Sequence, residues 1–225
     1  RVERMKVCTC LNPLHTALAV FGCLLGYDSV AGEMKDPALR ALVRRIGWKE
    51  GLPVVVDPGI LKPADFLKEV IQERLPNPYI PDTPQRIAAD TSQKMAIRYG
   101  ETIRIYRERR DLDVRSLIGI PLTIAAWCRY LLAVDDGGRL MALSTDPMLD
   151  ELRACLAPVR LGNAPSAEGL LKPILSNERV FGVNLYEAGL GGRIEEYFRD
   201  FTSGKGAVRR TLECVMGTAE GADDP

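Results

Sequence analysis

Apolar residues fall along this chain in two patterns. In the first, one face alone is apolar. After Asp36, residues Leu39, Leu42, Val43 and Ile46 form a stripe while Arg40, Arg44 and Arg45 point away. That period predicts an amphipathic helix, ended by Gly47. A second such helix is expected from Pro63 to about Leu75, with Phe66, Val70 and Ile71 inward. In the other pattern every face is apolar. From Leu14 to Leu25 the only ionisable groups are His15 and Cys23. A helix apolar all round belongs inside a protein, and this run is shorter than the roughly 20 residues that span a bilayer, so it is read as a core helix. Residues 115–133, RSLIGIPLTIAAWCRYLLA, form the second strongly apolar helix, with Pro121 kinking it or marking its true start.

Start signals recur between these runs. Asn12-Pro13, Asp36-Pro37, Thr83-Pro84 and Asp146-Pro147 each set a capping side chain before a proline suited to the first helical position. Residues 75–84, LPNPYIPDTP, hold four prolines and predict a stiff, non-helical crossing. A long helical run from Pro84 to about Arg110, bent near Gly100, is expected next, then a turn at residues 135–138 and helices near 147–157, 166–176, 191–202 and 205–216. Strand signals are confined to residues 54–56, 6–10 and 179–183. The pattern predicts a mainly α-helical single domain over residues 1–216, with a flexible acidic tail at 217–225.

Composition narrows the functional classes. Lys plus Arg and Asp plus Glu each number 30, so net charge gives no reason to expect nucleic acid or a membrane surface as partner. The six cysteines show no zinc spacing, no metal site is expected, and reduced packing residues in a cytoplasmic protein are the reading. The glycine stretches at 189–192 and 203–206 lack a phosphate-loop pattern and read as turns between helices. No GxGxxG follows a strand, so no cofactor-binding residues are assigned. The chain begins at Arg1 rather than Met, which suggests part of a longer one.

Candidate chemistry gathers at the start of the first core helix. Lys6 lies just upstream of Asn12, a candidate N-cap, and the lone histidine, His15, follows three residues later. A lysine acts as a general base when its pKa, ordinarily about 10.4, is brought near 7–8, and burial can do this. An asparagine amide and an imidazole can both donate to an oxygen that gains negative charge. Together the three suit removal of a proton from an alcohol whose carbon loses a hydride. The same residues would equally serve as a cap, a satisfied first-turn histidine and a solvated lysine. Arg86, Asp90 and Lys94, at i, i+4 and i+8, form either a surface ion ladder or a cationic face for a polyhydroxylated or carboxylate substrate.

At these residues the sequence resembles the C-terminal domain of the mannitol dehydrogenase family, the polyol-specific long-chain dehydrogenases that include hexuronate reductases. The resemblance rests on Lys6 followed by LNPLHT at 11–16, on RIAADTSQK at 86–94, and on AAWCRYL with DD and LSTDP after it. It implies a multi-helical substrate domain lacking the N-terminal Rossmann domain, which would be its partner and would hold most of an NAD or NADP cofactor, with no metal. By position it implies Lys6 as general base, Asn12 and His15 as oxyanion donors, and Arg86 and Lys94 as substrate-binding groups. The reaction implied interconverts a hexitol or hexonate with its keto sugar. The alternatives are a mannitol-1-phosphate type dehydrogenase or a non-catalytic helical assembly domain. The family pattern implies five positions from lysine to asparagine; here there are six.

Overall fold

A computed structural model describes residues 3–163 and 168–220, without the side chains of residues 7, 8 and 218–220. Among the described residues there is no strand, only isolated bridges at Val134–Leu140 and Arg160–Asn163. None of the three stretches with strand signals is a strand; residues 55 and 56 are irregular and the rest is largely helical. Residues 6–10 lie in a π-wound segment, Arg4–Leu11; residues 52–54 form a 3-10 turn; and residues 178–181 form a short helix.

The centre is two buried helices, α1 (Asn12–Leu25) and a later helix over Gly119–Tyr130. The π-wound segment runs straight into α1, giving one helix of 22 residues, Arg4–Leu25. At a mean hydropathy of 1.5 it is long and apolar enough to cross a membrane, contrary to the length expected from the sequence, but 81% of its apolar window is buried inside the protein. That is a core helix. Asn12 is not a cap, for the same reason. The backbone before it is already helical and no side chain caps α1, so there is no free first turn for its amide to serve. Pro13 is accommodated within a continuous helix because the wide π turn just upstream relieves the crowding its ring would cause.

Short helices wrap this core. Following α1 are α2 (Val30–Glu33), α3 (Pro37–Arg44), α4 (Pro63–Glu69), α5 (Pro84–Ile87) and α6 (Glu101–Glu108). Then come α7 (Gly119–Tyr130), α8 (Leu149–Cys155), α9 (Lys172–Leu175), α10 (Glu178–Phe181), α11 (Gly191–Thr202) and α12 (Ala207–Glu220). Asp36 and Thr83 cap α3 and α5 as their positions before proline predict. Gly47 does not end α3; the chain continues as a π turn to Gly51. Its missing Cβ lets the Leu67 side chain close in, so that glycine is a packing position. α4 is likewise prolonged by a π turn, Val70–Arg74.

The long helix expected from Pro84 to Arg110 is broken. α5 stops at Ile87, Asp90 adopts a left-handed φ of 53°, and residues 91–93 form a 3-10 turn before helix resumes. The break is tied down from elsewhere. Asp146 accepts from the Ser92 N–H at 2.8 Å and from the Ser92 hydroxyl at 2.5 Å. The start of α7 is fixed by Glu50, which accepts from the N–H groups of Ile118, Gly119 and Ile120 at 2.8, 2.7 and 2.9 Å. Buried Arg129 donates to the carbonyls of Phe201 and Asp135 at 3.2 and 3.1 Å, tying α7 to α11. The five described cysteines, Cys10, Cys23, Cys128, Cys155 and Cys214, carry free thiols. The Cys8 side chain and the tail residues 221–225 lie outside the description.

Candidate active site

The winding of the first helix decides where its chemistry points. At about 100° per residue, nine α-helical steps would set Lys6 and His15 about 180° apart, on opposite faces. The π winding over Arg4–Leu11 turns more slowly, at about 4.4 residues per turn, and brings the angle to roughly 70°. Their neighbours agree. The Lys6 Nζ sits 5.4 Å from the centroid of Phe66 in α4. Arg74, at the far end of the same prolonged helix, is close enough to His15 to act on its charge. By this winding Lys6 and His15 share a side of the helix rather than opposing one another. Among the described contacts none joins Lys6 directly to Asn12 or His15.

His15 is mostly buried, with its side chain 13% exposed, and its Nε2 lies 4.0 Å from Asp82 Oδ2. Burial is the main cause that pushes its pKa down from 6.5 to about 4; Asp82 opposes this, while Arg98, Arg74 and Arg86 add to it. The imidazole is therefore neutral at pH 7, with one N–H to donate. Two segments bring these charges in. The proline-rich crossing supplies Asp82, whose carboxylate is ion-paired with Arg86 on α5. The helix after the break supplies Arg98, whose guanidinium donates to Thr16 Oγ1 at 2.6 Å; that hydroxyl in turn bonds the Asn12 carbonyl at 3.1 Å.

The Arg86–Asp90–Lys94 ladder does not form, because the left-handed turn at Asp90 ends the helix it needs. Arg86 pairs backwards with Asp82 instead. Lys94 folds back and donates to the Ala89 carbonyl, and more weakly to that of Ile87 at 3.5 Å. Its pKa is lowered by burial first and by Arg98 second. Arg98 bears on the charge of both Lys94 and His15. Sequence reasoning missed Asp82 and Arg98. Asp82 lay in a stretch read only as a connector. Arg98 follows Lys94 by four residues, a spacing that marks a shared helix face.

Residues 2–199 match the model of the mannitol dehydrogenase C-terminal domain. The chain belongs to this family. It is 61% identical over 221 residues to a D-mannonate oxidoreductase of Thermotoga maritima, covering 98% of this chain and 41% of that protein. A D-mannonate oxidoreductase of Escherichia coli is 30% identical over 67% of this chain and 30% of its own length. The fold is also that of the Pseudomonas fluorescens mannitol 2-dehydrogenase solved as a ternary complex with NAD and D-mannitol. The TM-score is 0.77 at 24% identity, covering 96% of this chain and 41% of that one. This chain therefore spans less than half the length of these relatives.

Proposed function

We propose that this chain is the substrate-binding and proton-transferring C-terminal part of an NAD(P)-dependent oxidoreductase that interconverts a hexonate with its keto acid, of the mannonate–fructuronate type. The observation that carries the reading is the buried His15, with Asp82 at 4.0 Å and with Arg98, Arg74 and Arg86 acting on its charge, on the helix that also carries Lys6. In the oxidising direction the alcohol O–H gives its proton to Lys6. The Asn12 amide and the His15 N–H donate to the oxygen as negative charge develops there, which a neutral imidazole does without adding charge to the free site. Arg86 and Lys94 hold the polar remainder of the substrate, and several cations suit a sugar acid better than an uncharged hexitol. The 61% identity to a D-mannonate oxidoreductase supports the same choice.

The dinucleotide does not fit this chain's own donors. Among the described residues no strand leads into a glycine loop and helix, the usual cradle for a pyrophosphate. Its binding is assigned to a Rossmann-type domain, for which the longer relatives have room. The test joins this chain to the N-terminal part of the Thermotoga maritima enzyme and measures turnover of D-mannonate and D-mannitol. The expected result is turnover with kcat/KM at least tenfold higher for mannonate, and no turnover by this chain alone. A preference for mannitol would overturn the hexonate assignment, and no turnover of either would favour a binding domain.

A further inference from the structure

Asp82 is presented by a stiff piece of chain. Pro81 and Pro84 flank it, its carbonyl accepts from the Val30 N–H at 3.1 Å, and its own N–H donates to Ile80 at 2.9 Å. Thr83 beside it caps α5 by accepting from the Arg86 N–H at 3.2 Å. The carboxylate is divided between two tasks: Oδ1 is ion-paired with Arg86, and Oδ2 faces His15 Nε2 at 4.0 Å. That distance is too long for a hydrogen bond, so charge is what reaches the ring. The gap is too short to hold an oxygen on the line between them, so a ligand oxygen that accepts from the imidazole lies to one side of the carboxylate.

A neutral imidazole carries one proton, and its partners decide which nitrogen holds it. A lone pair on Nε2 aimed at a carboxylate is repelled, whereas an N–H there is attracted. We propose that Asp82 is a positioning residue. Tethered by Arg86, its carboxylate keeps the His15 proton on Nε2, where it can be donated to the substrate oxygen. The other charged groups acting on the ring, Arg98, Arg74 and Arg86, oppose a second proton. Asp82 is the anion that faces Nε2.

The inference rests on His15 serving as an oxyanion donor, but its test reads the ring itself and needs no turnover. His15 is the only histidine in the chain, so its ring 15N resonances in the labelled protein are unambiguous. At pH 7 the wild type should be predominantly the Nε2–H tautomer. Asp82→Asn, which keeps the size and backbone bonds, should lower the Nε2–H to Nδ1–H ratio several-fold, and Asp82→Glu should restore part of it. If Asp82→Asn does not fold, Asp82→Ser reads the same ratio. A wild type already in the Nδ1–H form, or a ratio unchanged in the folded variant, would overturn the assignment. Turnover by the joined enzyme that survives Asp82→Asn while the tautomer shifts as described would instead count against the donor role of His15.

Discussion

Replacing Glu33 by methionine should make this protein more stable at neutral pH. Glu33 closes α2 and is fully buried against Gly22 of α1 and Pro84 of α5, and neither carboxyl oxygen has a hydrogen-bond partner among the described residues. Burial, with Asp36 adding a little, holds its pKa well above the ordinary value. The folded state therefore binds a proton that the unfolded state has released. Stability associated with the group is full below about pH 4.3 and is lost as pH rises from there towards the folded pKa. Keeping the acid protonated at pH 7 costs at most about 4 kcal/mol, at about 1.4 kcal/mol for each unit between 4.3 and 7. Methionine has similar length and no ionisation. Glu33→Met is thus expected to gain about 2–4 kcal/mol at pH 7 in urea unfolding, with most of that gain gone at pH 4.5. A variant that is less stable, or whose gain is the same at both pH values, would show that the carboxylate is solvated or paired.

Three further outcomes follow from the packing and charges. Glu50→Ala leaves three N–H groups at the start of α7 without their acceptor, and urea unfolding should show a loss of about 3 kcal/mol. Gly100→Ala would put a Cβ 1.7 Å from the Phe181 carbonyl oxygen. Backbone cannot swing away as a side chain can, so a loss above ~2 kcal/mol or failure to fold is expected, read by circular dichroism. His15 titrates in the opposite sense to Glu33. With its folded pKa lowered from 6.5 to about 4, its contribution is present above pH 6.5 and is lost as pH falls through 4, by about 3 kcal/mol in all. His15→Gln should flatten that part of the stability profile, and an unchanged profile would refute it.

What could be read from the sequence was local or followed from strong hydrophobic pattern. The caps at Asp36 and Thr83, the burial of Phe66, Val70 and Ile71, the proline crossing and the limits of α11 all depend on neighbours within a few residues. So does the burial of α1 and α7, whose apolar faces leave no side for water. The break after Ile87 was hidden because residues 84–110 look helical taken alone. Asp146, far along the chain, secures it through Ser92. The π winding of Arg4–Leu11 was hidden too, since propensity does not distinguish it from ordinary helix. Lys6, Asn12 and His15 stood out in the sequence as candidates through the motif that carries the resemblance to the family. Asp82 was not, because its role depends on His15, which lies far away in the chain and is brought to it by the fold.

The central claim is that Lys6 takes the proton from the substrate. The most direct measurement is steady-state turnover of D-mannonate by the joined enzyme with Lys6→Ala, beside the unaltered lysine. The account predicts a fall in kcat of about 10²–10⁴-fold with little change in KM, the range expected for loss of a general base. Unchanged kcat would contradict it and remove Lys6 from the chemistry.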